Sequence, residues 1–369
     1  MKDERERKLA RLLVNFSVKL KKGEKCLIEA TDIPIPMIEE LVAAVYEAGG
    51  YPFVKMWSNQ IQRAMALGAS HESVQTWADC DLYQMKKMDA YIGIRGIVNP
   101  HELDGLGEKQ SIIDVDYSLP VHMKQRLSYT KWVVLRYPSP AMAMQAKMST
   151  SDFEDYFYRV TTGVDYKEME KRMLRAKAYM ETVDKVRIMG PGTDISFSIK
   201  GMPVIPCCGQ ANIPDGEIYT APIKDSVNGK ISYNCGSSYH GHHYTDISFI
   251  FENGKIIEAH CDDDELINKV LDTDEGSRYI GEFALGCNPQ ITFPMDNTLF
   301  DEKIAGSLHF TPGNSYDDCD NGNKSANHWD LVLIQTSGHG GGEIWFDDVL
   351  VRKDGVFLHP ELAGLNFAD

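Results

Sequence analysis

The chain has 369 residues, 43% of them hydrophobic, with 54 acidic against 38 basic side chains and a formal net charge of −16. That length suits two domains, and the acidic balance excludes a phosphate-backbone partner while suiting cations: metal ions, or a substrate carrying a free amine. No run of about 18 apolar residues occurs, so no membrane span is expected; the charged start "MKDERERKLARLL" lacks the apolar core and cleavage site of a signal peptide, which points to the cytoplasm.

Residues 1–20 read as a helix and "KCLIEA" (25–30) as a strand. "PIPMIEELVAAVYEAGG" follows as a helix, with Pro near its start and Gly-Gly at its end. "YPFVKMW" (51–57) is the next strand, "HESVQTWADCDLYQMKKM" a helix, and "DAYIGIRG" (89–96) a buried strand. "SYTKWVVLRYPS" supplies a further strand, and the stretch from 151 to 184 is largely helical. Strands alternating with helices of this length predict βαβ units and a parallel sheet. No Gly-x-Gly-x-x-Gly follows the first strand, so dinucleotide binding has no support.

The pattern changes near residue 185. "KVRIMGPGTDISFSIKG" reads as a hairpin around Pro-Gly, "VNGKISYN" and "FENGKIIEA" carry Asn-Gly turn signals, and "VRKDGVFLHP" is another turn between β segments. A helix is expected around "DDELINKVLD". The expectation is an α/β protein: an N-terminal parallel-sheet domain over 1–185, and a mixed, largely antiparallel α+β domain over 186–369 that carries the chemistry.

In "SANHWD" (325–330), His328 and Asp330 are two apart at the mouth of the apolar run "LVLIQ". In extended chain they project to one face, while Trp329 turns the other way. By itself the pair is a hydrogen-bonded His–Asp couple or half of a metal site. "ANIPDGEIYTAP" delivers Glu217 to a strand start after a Pro-Asp-Gly turn. "YIGEFALGCNP" sets Glu282 among apolar neighbours, where a carboxylate is costly unless paired or metal-bound. "LFDEKIAGSLHFTPGNSY" carries Glu302, His309 and Tyr316. Together Glu217, Glu282, His309, His328 and Asp330 offer three carboxylates and two imidazoles. That mix suits two divalent ions such as Zn, Mn or Co bridged by a carboxylate, which is a hydrolytic centre.

The segments "NIPDGEIYTAP", "GEFALGCNP", "LFDEKIAGSLHF" and "NHWD" occur in the order and roughly the spacing of the M29 metallo-aminopeptidases, the aminopeptidase T/S group, and the chain resembles that family along its length. The resemblance implies a two-metal peptidase that removes N-terminal residues from peptides and forms homodimers. It implies Glu217, Glu282, His309, His328 and Asp330 as metal ligands, with Glu282 the bridging candidate. Tyr316 falls where the family has a tyrosine that stabilises the tetrahedral intermediate, and Glu302 near an active-site carboxylate. The connection from His309 to His328 is shorter than is usual in that family.

Two other readings use the same residues. His309, His328 and Asp330 alone also make a two-His-one-carboxylate set for non-haem Fe(II), and a ring-opening dioxygenase acting on dihydroxypyridine resembles this family in fold. A metal-binding relative without turnover is the third reading. The histidines of "SSYHGHHYTD" (His240, His242, His243) lack a nearby acid set and read as adventitious. "SGHGGGEIWFDD" has no Lys-Ser/Thr after its glycines and reads as a turn. None of the 8 cysteines forms a Cys-x-x-Cys pair, and Cys207-Cys208 reads as packing.

Overall fold

The computed structural model describes residues 3–239 and 241–367. The chain divides into two compact units. Residues up to Gly163 with Gly209–Pro214 form the first; Val164–Cys208 with Asp215 onward form the second. The boundary expected near 185 falls inside the second unit. Its helix Tyr166–Met180 belongs there because Lys177 Nζ donates to Val204 O (2.7 Å) and Arg175 pairs with Glu361 (2.7 Å).

The first unit is built on the expected parallel sheet: β1 (Lys25–Thr31), β2 (Tyr51–Trp57), β3 (Ala90–Arg95) and β4 (Lys131–Arg136), in the order β2-β1-β3-β4, with the short strand Asn212–Ile213 beside β4. Cys26, Ile28, Tyr91, Ile92 and Ile94 are fully buried, as befits strands covered on both faces. Helices Ile35–Glu47 and His71–Met85 lie in the β1–β2 and β2–β3 connections. The sequence did not announce helix Glu108–Ile113, which runs on in wider turns through Leu127 with Pro120 inside it.

Among the described residues the second unit carries two large antiparallel sheets and a two-stranded ribbon, Ser237–Tyr239 with His242–Tyr244. The larger runs in the order Lys255–His260, Ser248–Glu252, Asn228–Ser232, Thr193–Ser198, Lys185–Gly190, Glu343–Phe346, Val349–Lys353, Val356–Phe357. The smaller has the order Val332–Ile334, Ser307–Pro312, Ile280–Gly286, Glu217–Thr220, Ile205–Cys207. Asn253-Gly254 and Asp354-Gly355 form tight turns, each residue at positive φ, as primed hairpin turns demand. Asn228-Gly229 does not turn; it lies inside a strand. A Cβ on Gly229 would sit 2.2 Å from Asp194 O, so this glycine serves close backbone approach within the sheet.

Alternation along the smaller sheet sets its two faces. Phe283 and Phe310 turn to the core, their ring centroids 5.1 and 5.0 Å from that of Phe197 on the larger sheet. The residues between them face the other way, and the candidate site is built there.

Candidate metal centre

Strand Ile280–Gly286 is central in its sheet and buried throughout. Glu282, Ala284 and Gly286 share its non-core face by period two. Directly opposite residues in antiparallel strands share a face as well. Register places Thr311 opposite Glu282, His309 opposite Ala284, and Glu217 opposite Gly286. The small central residues leave the space that the longer flanking side chains fill. A Cβ on Gly286 would meet Ile304 O and Ser307 Oγ at 2.4 Å. His328 reaches this face through a single bridge to Gly313, just before the strand Val332–Ile334 begins. Trp329 turns away as expected: its ring stacks on Tyr239 (4.7 Å, 12°) and its Nε1 donates to Ser237 Oγ (2.9 Å).

The five sequence-derived donors come together. His309 Nε2 is 3.1 Å from Glu282 Oε1 and 3.6 Å from Glu217 Oε2. His328 Nε2 is 3.2 Å from Glu282 Oε2 and 3.2 Å from Asp330 Oδ1. Two groups of ligating atoms result: Glu217, Glu282 and His309, then Glu282, His328 and Asp330, the atoms of each within 4.8 Å of one another. Glu282 belongs to both and turns one oxygen to each. Glu217 Oε2 and His328 Nε2 are buried and make no hydrogen bond of acceptable geometry. Outer contacts hold the donors in place. Asn314 O accepts from His328 Nδ1 (2.8 Å), and Thr311 Oγ1 donates to Asp330 Oδ1 (2.8 Å); such contacts fix the tautomer and orientation of a metal ligand.

The electrostatics ask for a cation. Burial pulls the His309 imidazole down, but the Glu282 hydrogen bond and the charges of Glu282, Glu217 and Asp330 carry it up to about 10. His328 likewise is held well above its ordinary value against burial, by Asp330 and Glu282. Burial pushes the Glu217 carboxyl up, and its neighbours Glu302 and Glu282 add to that. Glu217 and Glu302 lie against one fully buried lysine, Lys303, while Glu282 and Asp330 pair with the two imidazoles. A buried anionic cluster with an orphaned carboxylate oxygen and imidazole nitrogen fits divalent cations by donor chemistry as well as charge.

Lys303 itself escaped the sequence reading. It contacts Glu302 and lies 3.6 Å from Glu217 Oε1. The signal available was the charged triplet Asp301-Glu302-Lys303 between Phe300 and Ile304, both fully buried. Asp215 and Cys207 were missed as well; they form a further donor cluster with Glu217. Burial and the charges of Asp215 and Glu217 push the Cys207 thiol well up, so it stays protonated and is no nucleophile. Glu302 is buried, and burial together with Asp330 raises its carboxyl. The Tyr316 ring leans over His328 at 4.6 Å. The residue is 45% exposed, but burial around the phenol and the charges of Glu282 and Asp330 hold it well above its ordinary value.

The short connection from 313 to 327 is cross-braced by amides. Asn323 Nδ2 donates to Gly276 O (2.8 Å) and Gly313 O (2.6 Å), and Asn321 Nδ2 to Pro222 O and Ile280 O (both 2.8 Å). Asn327 Nδ2 donates to Val270 O (2.8 Å). These bonds position Tyr316 and His328 without added length. Elsewhere, His242 and His243 are exposed, and among the described residues neither joins a metal-capable group; His240 lies outside the described residues. The glycine-rich stretch is a turn, with Gly340 and Gly341 at positive φ.

Comparison with known proteins adds the following. The family described as thermophilic metalloprotease (M29) matches residues 2–340. Aminopeptidase AmpS of Bacillus subtilis is 24% identical over 88% of this chain and 87% of its own. Aminopeptidase T of Thermus aquaticus is 25% identical over 82% and 83%. Among solved structures, AmpT of Thermus thermophilus superposes with a TM-score of 0.81 at 20% identity, covering 96% of this chain and 99% of that one. The 2,5-dihydroxypyridine dioxygenase of Pseudomonas putida KT2440 gives 0.62 at 12% identity, over 97% and 98%. At these identities the structural likenesses speak for the fold.

Proposed function

The chain belongs to the thermophilic metalloprotease (M29) family, and from that premise we infer that it is a metal-dependent aminopeptidase, a hydrolase that takes residues from the free N-termini of peptides. The observation that carries the two-cation form of this reading is Glu282, whose two oxygens serve two separate imidazole–carboxylate groups. Glu217, Glu282 and His309 would hold one ion; Glu282, His328 and Asp330 the other. Zn, Co and Mn all suit the donors. Bound there, the ions supply Lewis-acid polarisation of a carbonyl and lower the pKa of water toward neutrality.

The chain's own groups do the rest. Glu302, raised by burial, takes the proton of the attacking water and returns it to the leaving amine. Lys303 holds that carboxylate in place and limits how far its affinity for protons rises. Tyr316 keeps its proton and donates a hydrogen bond to the developing oxyanion. The surplus of carboxylates attracts the substrate's ammonium group. On this reading the protein acts in the cytoplasm as a homodimer. No helix among the described residues is long and apolar enough to cross a membrane.

Metal analysis of the purified chain, paired with hydrolysis of aminoacyl-anilides, tests the proposal. Two divalent ions per chain with release of arylamine is the expected result. One iron per chain, with oxygen uptake on a dihydroxypyridine and no hydrolysis, overturns it in favour of the dioxygenase reading. Tight metal binding without either turnover would leave only a metal-binding protein.

A further inference from the structure

The first unit has a cavity of about 520 Å³, within the ordinary range for small-ligand sites. Its floor is one row of the parallel sheet. Register pairs Trp57 with Thr31, Thr31 with Arg95, and Arg95 with Arg136. These are the last residues of β2, β1, β3 and β4, and all four line the cavity. Side chains paired in this way share a face. The connection from β1 leads outward to β2, and the next returns past β1 to β3, so the order reverses between β1 and β3. Open parallel sheets bind ligands outside the carboxyl ends of their strands at that reversal. The backbone is shaped for it. Gly96 follows β3, its N donates to Thr31 O (2.8 Å), and a Cβ there would lie 2.2 Å from Asp32 O.

The lining is cationic in a chain whose net charge is −16. Arg126 is buried and spoken for: it donates to Glu29 Oε2 (3.2 Å) and lies over the Tyr91 ring (4.0 Å). Glu29 also accepts from Tyr91 (2.9 Å). The other acidic side chain of the lining, Glu102, is reached by Asn99 (3.4 Å). Among the described residues the Arg95 and Arg136 side chains have no carboxylate partner, yet they are adjacent in the row and burial and mutual repulsion lower the Arg136 guanidinium. Two neighbouring, partly buried guanidinium groups without an anion are a cost to the fold and a ready fork for a carboxylate or phosphate. Across the row stands an aromatic wall. Trp77 is 5.6 Å from Trp57 at 57°, and stacks on Tyr117 at 4.1 Å and 27°.

We propose that this cavity binds a small organic anion bearing a planar ring, its carboxylate or phosphate held by Arg95 and Arg136 and its ring packed against Trp57 and Trp77. The site lies wholly in the first unit and makes no use of the metal centre. Tryptophan fluorescence and calorimetry on the full chain test it, with benzoate and phenyl phosphate as probes and benzamide as the uncharged control. One of the two anions binds at one site per chain and quenches the fluorescence, and which one it is separates carboxylate from phosphate recognition. Benzamide does not bind. Affinity falls about tenfold or more in both Arg95→Gln and Arg136→Gln, and falls with salt. Removal of one of two repelling charges keeps each variant folded, which thermal melting checks. Absence of binding by both anions overturns the proposal, and so does binding that is undiminished in the folded arginine variants.

Discussion

Two histidines set the two units against each other. Burial pulls both imidazoles down, and the neighbours decide the outcome. His122, in the lining of the first unit's cavity, is lowered to about 4 by burial and by the charges of Arg126 and Arg95, with Glu29 opposing. His309, in the second unit, is carried up to about 10 because Glu282, Glu217 and Asp330 outweigh the same penalty. One pocket is short of negative charge and the other of positive charge. Each is therefore unfinished in a specific sense: the first invites an anion, the second cations. Net charge, which is a property of the whole chain, describes neither.

The sharpest way to break this contrast is at Glu282. Glu282→Gln takes charge from both cation positions together, so metal analysis should find both ions lost. Activity should drop by more than about 10⁴-fold, the upper end of what one acid–base group contributes. Retention of one ion with substantial hydrolysis would show that Glu282 does not join the two groups. Glu302→Gln separates proton transfer from metal binding. The expected result is a loss of about 10²–10⁴-fold in kcat with the metal content unchanged. Loss of metal instead would make Glu302 a ligand. Thr311→Val removes the hydroxyl that donates to Asp330 Oδ1. It should weaken metal affinity by about 10–100-fold, read by competition with a chelator.

The smallest effect concerns the other pocket. The folded pKa of His122 lies below the ordinary value of about 6.5, so the folded chain takes up that proton less readily than the unfolded chain. Its contribution is thus present above pH 6.5 and lost as pH falls toward 4. Melting temperatures of His122→Gln should decline less over that window than those of the unaltered chain. Parallel acid limbs would mean that His122 is not held neutral by its surroundings.

The two regions differed in how far the sequence disclosed them. The convergence of the five donors was foreshadowed because some of them are chemically unusual for their positions: Glu282 inside an apolar strand, and His328 with Asp330 at period two. Lys303 was not, because an isolated lysine beside a glutamate reads as a solvated pair until burial is known. The β1–β4 strands were legible from apolar runs and flanking helices. Their cavity was not, since Thr31, Trp57, Arg95 and Arg136 are scattered between residues 31 and 136 and meet only through register. The Asn228-Gly229 pair failed as a turn signal because the same dipeptide also suits a place where another strand's backbone presses close. Nor did the sequence show that the stretch before His328 is braced by its own asparagines.

Those asparagines give the protein a chemical age. Asn321 precedes Gly322, the pairing in which the following backbone nitrogen most readily attacks the side-chain amide carbon and expels ammonia; water then opens the cyclic imide and leaves an acidic residue. In the folded chain Gly322 N instead donates to Asp320 Oδ1 (2.8 Å), and the Asn321 amide is engaged by Pro222 O and Ile280 O. The fold therefore slows a reaction that unfolding would release, and the product would set a carboxylate against two carbonyl oxygens. Peptide mapping should find the altered residue in heat-stressed protein before it appears in protein stored folded. Equal rates in both would mean that the loop offers no protection. The turn at Asn321, on this account, ages at the pace at which the chain opens.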